Sequence, residues 1–149
     1  MKIPENASKG FDKLLIVESP AKAKKIQHFL KDRDVTVRSS FGHINNLDTT
    51  KLNDMIENNF TPIYKTTNPK AIKILKSVNA KSIILAADDD REGDAIAWHC
   101  GNLFKLDYSQ NNRIKFNEIS KRAITRALDN PERLDLNSVK AQQCRQFID

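Results

Sequence analysis

Short apolar runs that do not alternate, each followed at once by a helix-start signal, constrain this chain more than any other feature. Leu14–Val17 is four branched apolar residues in a row, as in strands buried on both faces of a parallel sheet. Ser19-Pro20 follows, an N-cap residue and then proline at the first helical position. Ala23, Ile26, Phe29 and Leu30 then share one helical face. Ser82–Ala87 is the second such strand, and a helix beginning near Arg91 places Ile96, Cys100, Leu103 and Phe104 on one side. Between these units, Val35 and Val37 suggest a strand over 34–39, broken by Phe41-Gly42-His43. Residues 44–60 read as a loop with one helical turn, and Thr61–Thr66 as a strand. Asn68-Pro69 starts a helix with Ile72, Leu75 and Val78 aligned. Arg113–Asn117 reads as a short strand. Ser120 caps a helix carrying Ala123, Ile124, Ala127 and Leu128, which Asn130-Pro131 ends. Asn137 is positioned to cap a last helix through Phe147. This alternation predicts an α/β domain with a mostly parallel sheet and right-handed crossovers.

The chain has 149 residues, 39% hydrophobic and 30% charged, the size and balance of one globular domain. Its apolar runs are far shorter than the ~18 residues of a membrane span, and residues 1–12 lack the apolar core of a signal peptide. Cys100 and Cys144 are not in Cys-x-x-Cys spacing, and two cysteines make no disulfide framework. Free thiols in a reducing compartment are expected. The net charge is +6, but residues 88–94 alone carry five acids and one base, leaving the rest of the chain at +10. A basic body around one acidic focus suits a polyanion partner with a metal at the focus. A solvated lysine-rich surface would give the same balance.

Open α/β sheets bind ligands at the carboxyl ends of their strands. Glu18 stands at one such end, and Asp88-x-Asp90-x-Glu92 at another. If the two strands are neighbours, four carboxylates meet, and they repel unless protonated or metal-bound. Hard oxygen donors in that number select Mg²⁺, which completes its shell with water and substrate phosphate. Acids at the start of the helix near Arg91 would also stabilise its N-terminus, by ~0.3–1 kcal/mol each, although one or two suffice for that. An EF-hand fits Asp88, Asp90, Glu92 and Gly93 but fails at its twelfth position, His99, and in its strand context. There is no Walker loop, no Gly-x-Gly-x-x-Gly, and no zinc-ligand spacing among the cysteines and His28, His43 and His99. Lys22, in the first helical turn, can reach a phosphate held beside Glu18, whereas Lys24 and Lys25 read as a solvated face. His43 follows a glycine in a loop at a strand end and could donate to phosphate. Trp98 and His99 are adjacent on a helix, so one is expected to face the core and the other the surface.

Five segments occur in a telling order: Glu18-Ser-Pro-Ala-Lys-Ala-Lys24, Ser40-Phe-Gly-His43-Ile, Asp88-x-Asp90-Arg-Glu92-Gly-Asp94-Ala-Ile-Ala-Trp-His99, Phe116-Asn-Glu118-Ile-Ser120 and Ala141-Gln-Gln-Cys-Arg145-Gln-Phe-Ile-Asp149. Together they resemble the N-terminal Toprim region of type IA DNA topoisomerases, the bacterial topoisomerase I group, over Lys13–Asp149. The resemblance implies a Rossmann-like Toprim domain over 13–130 with a four-stranded, mostly parallel sheet. Residues 1–12 would be an extension, and 131–149 the start of a following helical domain, cut short within a helical pattern. It implies an ATP-independent enzyme that cleaves single-stranded DNA through a tyrosine, passes the other strand and reseals the break with Mg²⁺, relaxing negatively supercoiled duplex DNA. Glu18 would assist proton transfer and metal binding beside the scissile phosphate, and Lys22 would contact that phosphate. Asp88, Asp90 and Glu92 would hold Mg²⁺ with Glu18, His43 would lie near the nucleotide upstream of cleavage, and Arg145 and Asp149 would line the DNA groove. A monomer in the cytoplasm, associated with the nucleoid, is expected, without membrane contact.

The sequence departs from the family pattern at Asp89, where a bulky or apolar residue is usual, and at Asp94, where Glu is frequent. The stretch between His43 and Phe60 is short for the family. Tyr64 and Tyr108, the two tyrosines, lie outside the family's nucleophile motif, so this chain is expected to be inactive alone. Another Toprim phosphoryl-transfer enzyme, a nuclease or primase, and a non-catalytic DNA- or metal-binding module are the alternative readings.

Overall fold

The computed structural model describes residues 11–59 and 62–148. Its elements are β1 (Phe11–Val17), α1 (Pro20–Phe29), β2 (Val35–Ser39), β3 (Asn45–Leu47), a 3₁₀ turn (Thr49–Lys51), α2 (Leu52–Glu57), β4 (Tyr64–Thr66), α3 (Pro69–Lys76), β5 (Ala80–Leu85), α4 (Arg91–Leu103), α5 (Lys121–Asp129) and α6 (Leu136–Ile148). The main sheet has the order β2-β1-β5 and is parallel throughout, with Leu15 opposite both Val37 and Ile84.

The non-alternating runs follow from burial on both faces. Leu14 and Ile16 of β1 face one core with Ala71 and Leu75 of α3, Ile96 and Cys100 of α4, and Leu134 and Val139 from the end of the chain. Leu15 and Val17 face the other, with Ala23 and Ile26 of α1 and Ile124 and Ala127 of α5. Each fully buried Leu or Ile contributes about 1.5–3 kcal/mol. Ile26 is completely buried, so truncating it to alanine would cost about 2–5 kcal/mol. The caps fall largely where the sequence places them: Ser19 accepts from Lys22 N, Asn68 from Ala71 N and Ser120 from Ala123 N. The last helix differs. Asp135, not Asn137, caps it, accepting from Asn137 N and Ser138 N at 3.0 and 3.1 Å.

Two expectations of strand content are corrected. The main sheet has three strands rather than four. Where the fourth was expected, only Arg113 pairs, parallel to Leu85 and antiparallel to Glu132. Asn112 O and Ile114 N bracket Leu85 at 2.7 and 3.0 Å, and beyond Ile114 no further strand pairing continues among the described residues. Residues 44–60 hold more structure than a loop with one turn. The described part contains β3, the 3₁₀ turn and α2, with Met55 fully buried. β3 pairs antiparallel with β4, Asn45 opposite Thr66. Thr61 of the expected strand lies outside the described residues, whereas Tyr64–Thr66 is strand.

Candidate active site at the carboxyl ends of the strands

β1 and β5 are neighbours, so Glu18 and Asp88 emerge side by side. Glu18 Oε2 accepts the backbone N–H of Asp88 at 2.9 Å, which ties the two strand ends together. The ammonium of Lys22, one helical turn after Glu18, lies between the carboxylates, 3.4 Å from Glu18 Oε1 and hydrogen-bonded to Asp88 Oδ1. Burial, reinforced by the neighbouring Asp88 carboxylate, raises the Glu18 pKa above the ordinary glutamate value. Asp88 is itself penalised by burial, yet its hydrogen bonds to Lys22 and Glu18 prevail and lower its pKa. The hydrogen bond to Asp88 also raises the Lys22 pKa.

The third parallel strand supplies His43. After β2 the chain turns through two residues in the left-handed region, Phe41 at φ 57° and Gly42 at φ 84°. Gly42 carries this without a side-chain penalty. Gly42 N donates to Glu18 O at 2.8 Å, fixing the loop to the end of β1. His43 Nε2 then lies 3.2 Å from Glu92 Oε1, and its buried Nδ1 has no partner among the described residues.

The acidic cluster is divided among separate partners. Asp88 belongs to Glu18 and Lys22. Asp89 points to Lys115 at 3.4 Å, and Lys115 also meets Glu132 at 3.5 Å. Asp90 caps α4, its Oδ1 accepting from Gly93 N at 2.6 Å. Glu92 reaches His43, and Asp94 is buried against Arg113 at 3.1 Å. Helix capping thus accounts for Asp90 but not for the other acids. Gly93 lets the cluster sit this close to the helix, because a Cβ there would lie 1.9 Å from the carbonyl oxygen of Asp88.

Arg113 is a residue whose role the sequence pattern conceals. Its side chain is wholly buried and donates to Ala87 O at 2.6 Å, Asp88 O at 2.7 Å and Ile114 O at 3.1 Å, besides Asp94. It therefore holds the backbone of the acidic loop from beneath. The only signal is a charged residue in the alternating pattern Arg-Ile-Lys-Phe-Asn, which reads equally as the outward face of an ordinary strand. Lys115 is concealed in the same way.

Other expectations resolve plainly. His99 is the core-facing member of its pair, with its ring 4.5 Å from that of Tyr64. Trp98 is half-buried against the same core rather than on the surface. Burial, and then the charge of His43, pushes the His99 pKa down to about 4. Tyr64 is a structural residue, its pKa raised by burial. The Tyr108 hydroxyl donates to Trp98 O at 2.8 Å and lies against Gly101, with burial raising its pKa. Both cysteines are free. Cys100 is buried with its thiol pKa pushed up to about 12, and Cys144 is exposed. Arg145 is exposed on the last turn of α6, and Asp149 lies outside the described residues.

Among the described residues, no group of three or more Asp, Glu, His or Cys side chains is gathered closely enough to hold a metal ion by itself. Mg²⁺ does not require one. It commonly takes one or two carboxylates and completes its shell with water and phosphate. Glu18 and Asp88, already converging on one cation, fit that demand.

A Toprim domain model matches residues 13–119. The structure of full-length topoisomerase I from Thermotoga maritima, in a monoclinic crystal form, aligns with a TM-score of 0.78 and 35% identity. The match covers 90% of this chain and 23% of that one, so the chain spans under a quarter of that protein's length.

Proposed function

The chain belongs to the Toprim domain family, and on that premise we propose that it is the Mg²⁺-binding Toprim portion of a type IA DNA topoisomerase. In this reading residues 13–130 form the Toprim unit and 131–149 lead into a helical domain of the same polypeptide. The observation that carries the proposal is the pairing of Glu18 with Asp88 at the ends of adjacent parallel strands, with Lys22 between them. The likeness to a topoisomerase I supports the same reading.

Each residue then has a task. Lys22 releases its carboxylates and contacts the scissile phosphate of a single DNA strand. Glu18, whose pKa burial raises, assists proton transfer at the breaking ester. Asp88, Asp90 and Glu92, with Glu18, are the residues that would hold Mg²⁺. Asp90 would do so with the carboxylate oxygen that does not cap α4. The ion, when bound, screens phosphate charge and templates the DNA ends for religation. His43 donates to a phosphate or sugar just upstream of the break, and Arg145 and Asp149 line the strand's path. Tyr64 and Tyr108 are packed into the fold, which supports a nucleophile supplied by another domain. Among the described residues no helix is long and apolar enough to cross a membrane. We propose a monomer acting in the cytoplasm on nucleoid DNA.

The test is relaxation of negatively supercoiled plasmid by a protein carrying this chain together with its tyrosine-bearing domain. Asp88→Asn with Asp90→Asn should impair religation and relaxation much more than non-specific DNA binding, which phosphate contacts elsewhere sustain. Equal loss of binding would refute the metal role. The chain alone should not cut single-stranded DNA. Mg²⁺-dependent cutting abolished by Asp88→Asn would make it a nuclease instead.

A further inference from the structure

The sheet face opposite α3 and α4 carries a feature that the strand-end site does not use. Along α5 and the segment before it runs a groove of about 580 Å³, lined by Lys115, Phe116, Asn117, Arg122, Arg126 and Asn130. A second depression of about 600 Å³ shares Arg122, Arg126 and Asn130 with it and adds Lys121 and one acid, Asp129. Arg122 and Arg126 are four residues apart on one helical face, where like charges repel. Among the described residues, neither guanidinium nor the Lys121 ammonium has an ion pair or hydrogen bond. The acids nearby do not cancel them: Asp129 is 3.8 Å from Arg33, and Glu118 is the only other acid along the groove among the described residues. Cations held side by side over a cavity, without internal partners, call for an external anion.

The groove also has a direction. Lys115, at its head, is held by Asp89 of the acidic loop and by Glu132, so the cations without partners begin at Lys121 and Arg122, beyond the strand-end site. Asn117 and Asn130 are exposed and offer side-chain amides, whereas Phe116 packs partly into the core beneath. Cations set along a groove that tracks the phosphates are one of the means by which single strands are bound without sequence preference. We propose that this groove binds the backbone of a single nucleic-acid strand, as a second contact surface separate from the strand-end site. It rests on the preceding reading only for the choice of nucleic acid as partner.

The experiment is fluorescence anisotropy of a labelled oligothymidylate with the chain, from about 50 to about 200 mM salt, in EDTA. Leaving out divalent ions keeps a failure of the metal reading from affecting the result. Arg122→Gln with Arg126→Gln should lower the slope of log K against log salt by about 1.4, at about 0.7 for each phosphate of a single strand that is no longer neutralised. Binding at the low-salt end should weaken several-fold. Both side chains are exposed, so the melting temperature should not move. Lys70→Gln with Lys73→Gln removes the same charge from α3 on the opposite face and should change the slope by less than half as much. An unchanged slope in the arginine variant, or an equal change in the lysine variant, would overturn the proposal. So would a duplex of the same length losing as much as the single strand.

Discussion

Replacing Arg113 with methionine removes one cation from a fully buried position and strips donors from Asp94, Ala87 O, Asp88 O and Ile114 O together. The largest cost is the Asp94 carboxylate, only 5% exposed and left without its cation. Removing one member of a buried pair costs about 3–5 kcal/mol. Asp88 O keeps the N–H of Asp90 at 2.9 Å, so it is not orphaned, and Ala87 O is the carbonyl most affected, at about 1–3 kcal/mol. Arg113→Met with Asp94→Val removes the stranded carboxylate and should therefore regain about 2 kcal/mol of the single variant's loss. The assay is urea denaturation followed by circular dichroism. With a slope of about 2 kcal/mol per molar urea, the single variant's midpoint should fall by roughly 2 M, and the double variant's by about half that. A single-variant shift under about 0.5 M would contradict this account, because Arg113 would then hold nothing of consequence. A double variant no more stable than the single would show that the pair with Asp94 is not the reason.

Three further outcomes are expected. His99 binds its proton less readily in the folded chain than in the unfolded one, so its contribution is complete above pH 6.5 and is lost as pH falls toward about 4. The size is about 3 kcal/mol, and His99→Phe should flatten the stability–pH curve in that window; an unchanged curve would refute the role of burial. Gly93→Ala, which in a free helix would gain ~1 kcal/mol, should destabilise by at least that much, because the new Cβ meets the carbonyl of Asp88 at 1.9 Å. Equal or higher stability in thermal melts would show that the loop yields freely. Asp90→Asn should retain the α4 cap and melt near the parent, whereas Asp90→Ala should lose ~1 kcal/mol. Equal losses in the two would mean that charge, rather than capping, is the folding role of Asp90.

The two-faced core is legible in the sequence because Leu14–Val17 and Ile83–Ala87 have no polar face to turn outward, and only a covered parallel sheet accommodates that. The meeting of Glu18 and Asp88 is legible for the same reason, since strand ends follow from strand order. The small β3–β4 sheet is not legible. Asn45-Asn46-Leu47 is polar and short, and its pairing depends on Tyr64–Thr66 well downstream. Nor is the division of the acids legible. From the string Asp-Asp-Asp-Arg-Glu-Gly-Asp they look equivalent, and what separates them is His43, Arg113 and Lys115, each brought in from outside the string. The arginine that makes the single bridge left of the expected fourth strand is also what anchors the acidic loop, so one residue bears on both expectations.

The single-residue pairing at Arg113 has a consequence for self-association. An open strand edge is a template on which another chain can add, and β5 would be such an edge, long and apolar at its end. Asn112–Ile114 occupies its hydrogen bonds around Leu85, and Arg113 N and O are in turn occupied by Glu132, so the ladder terminates after two bridges. A chain cut before Glu132 would leave Arg113 with free main-chain groups and remove Leu134 and Val139 from the core. Such a truncation should keep its secondary structure yet lose colloidal stability, because the closing segment covers the apolar end of β5.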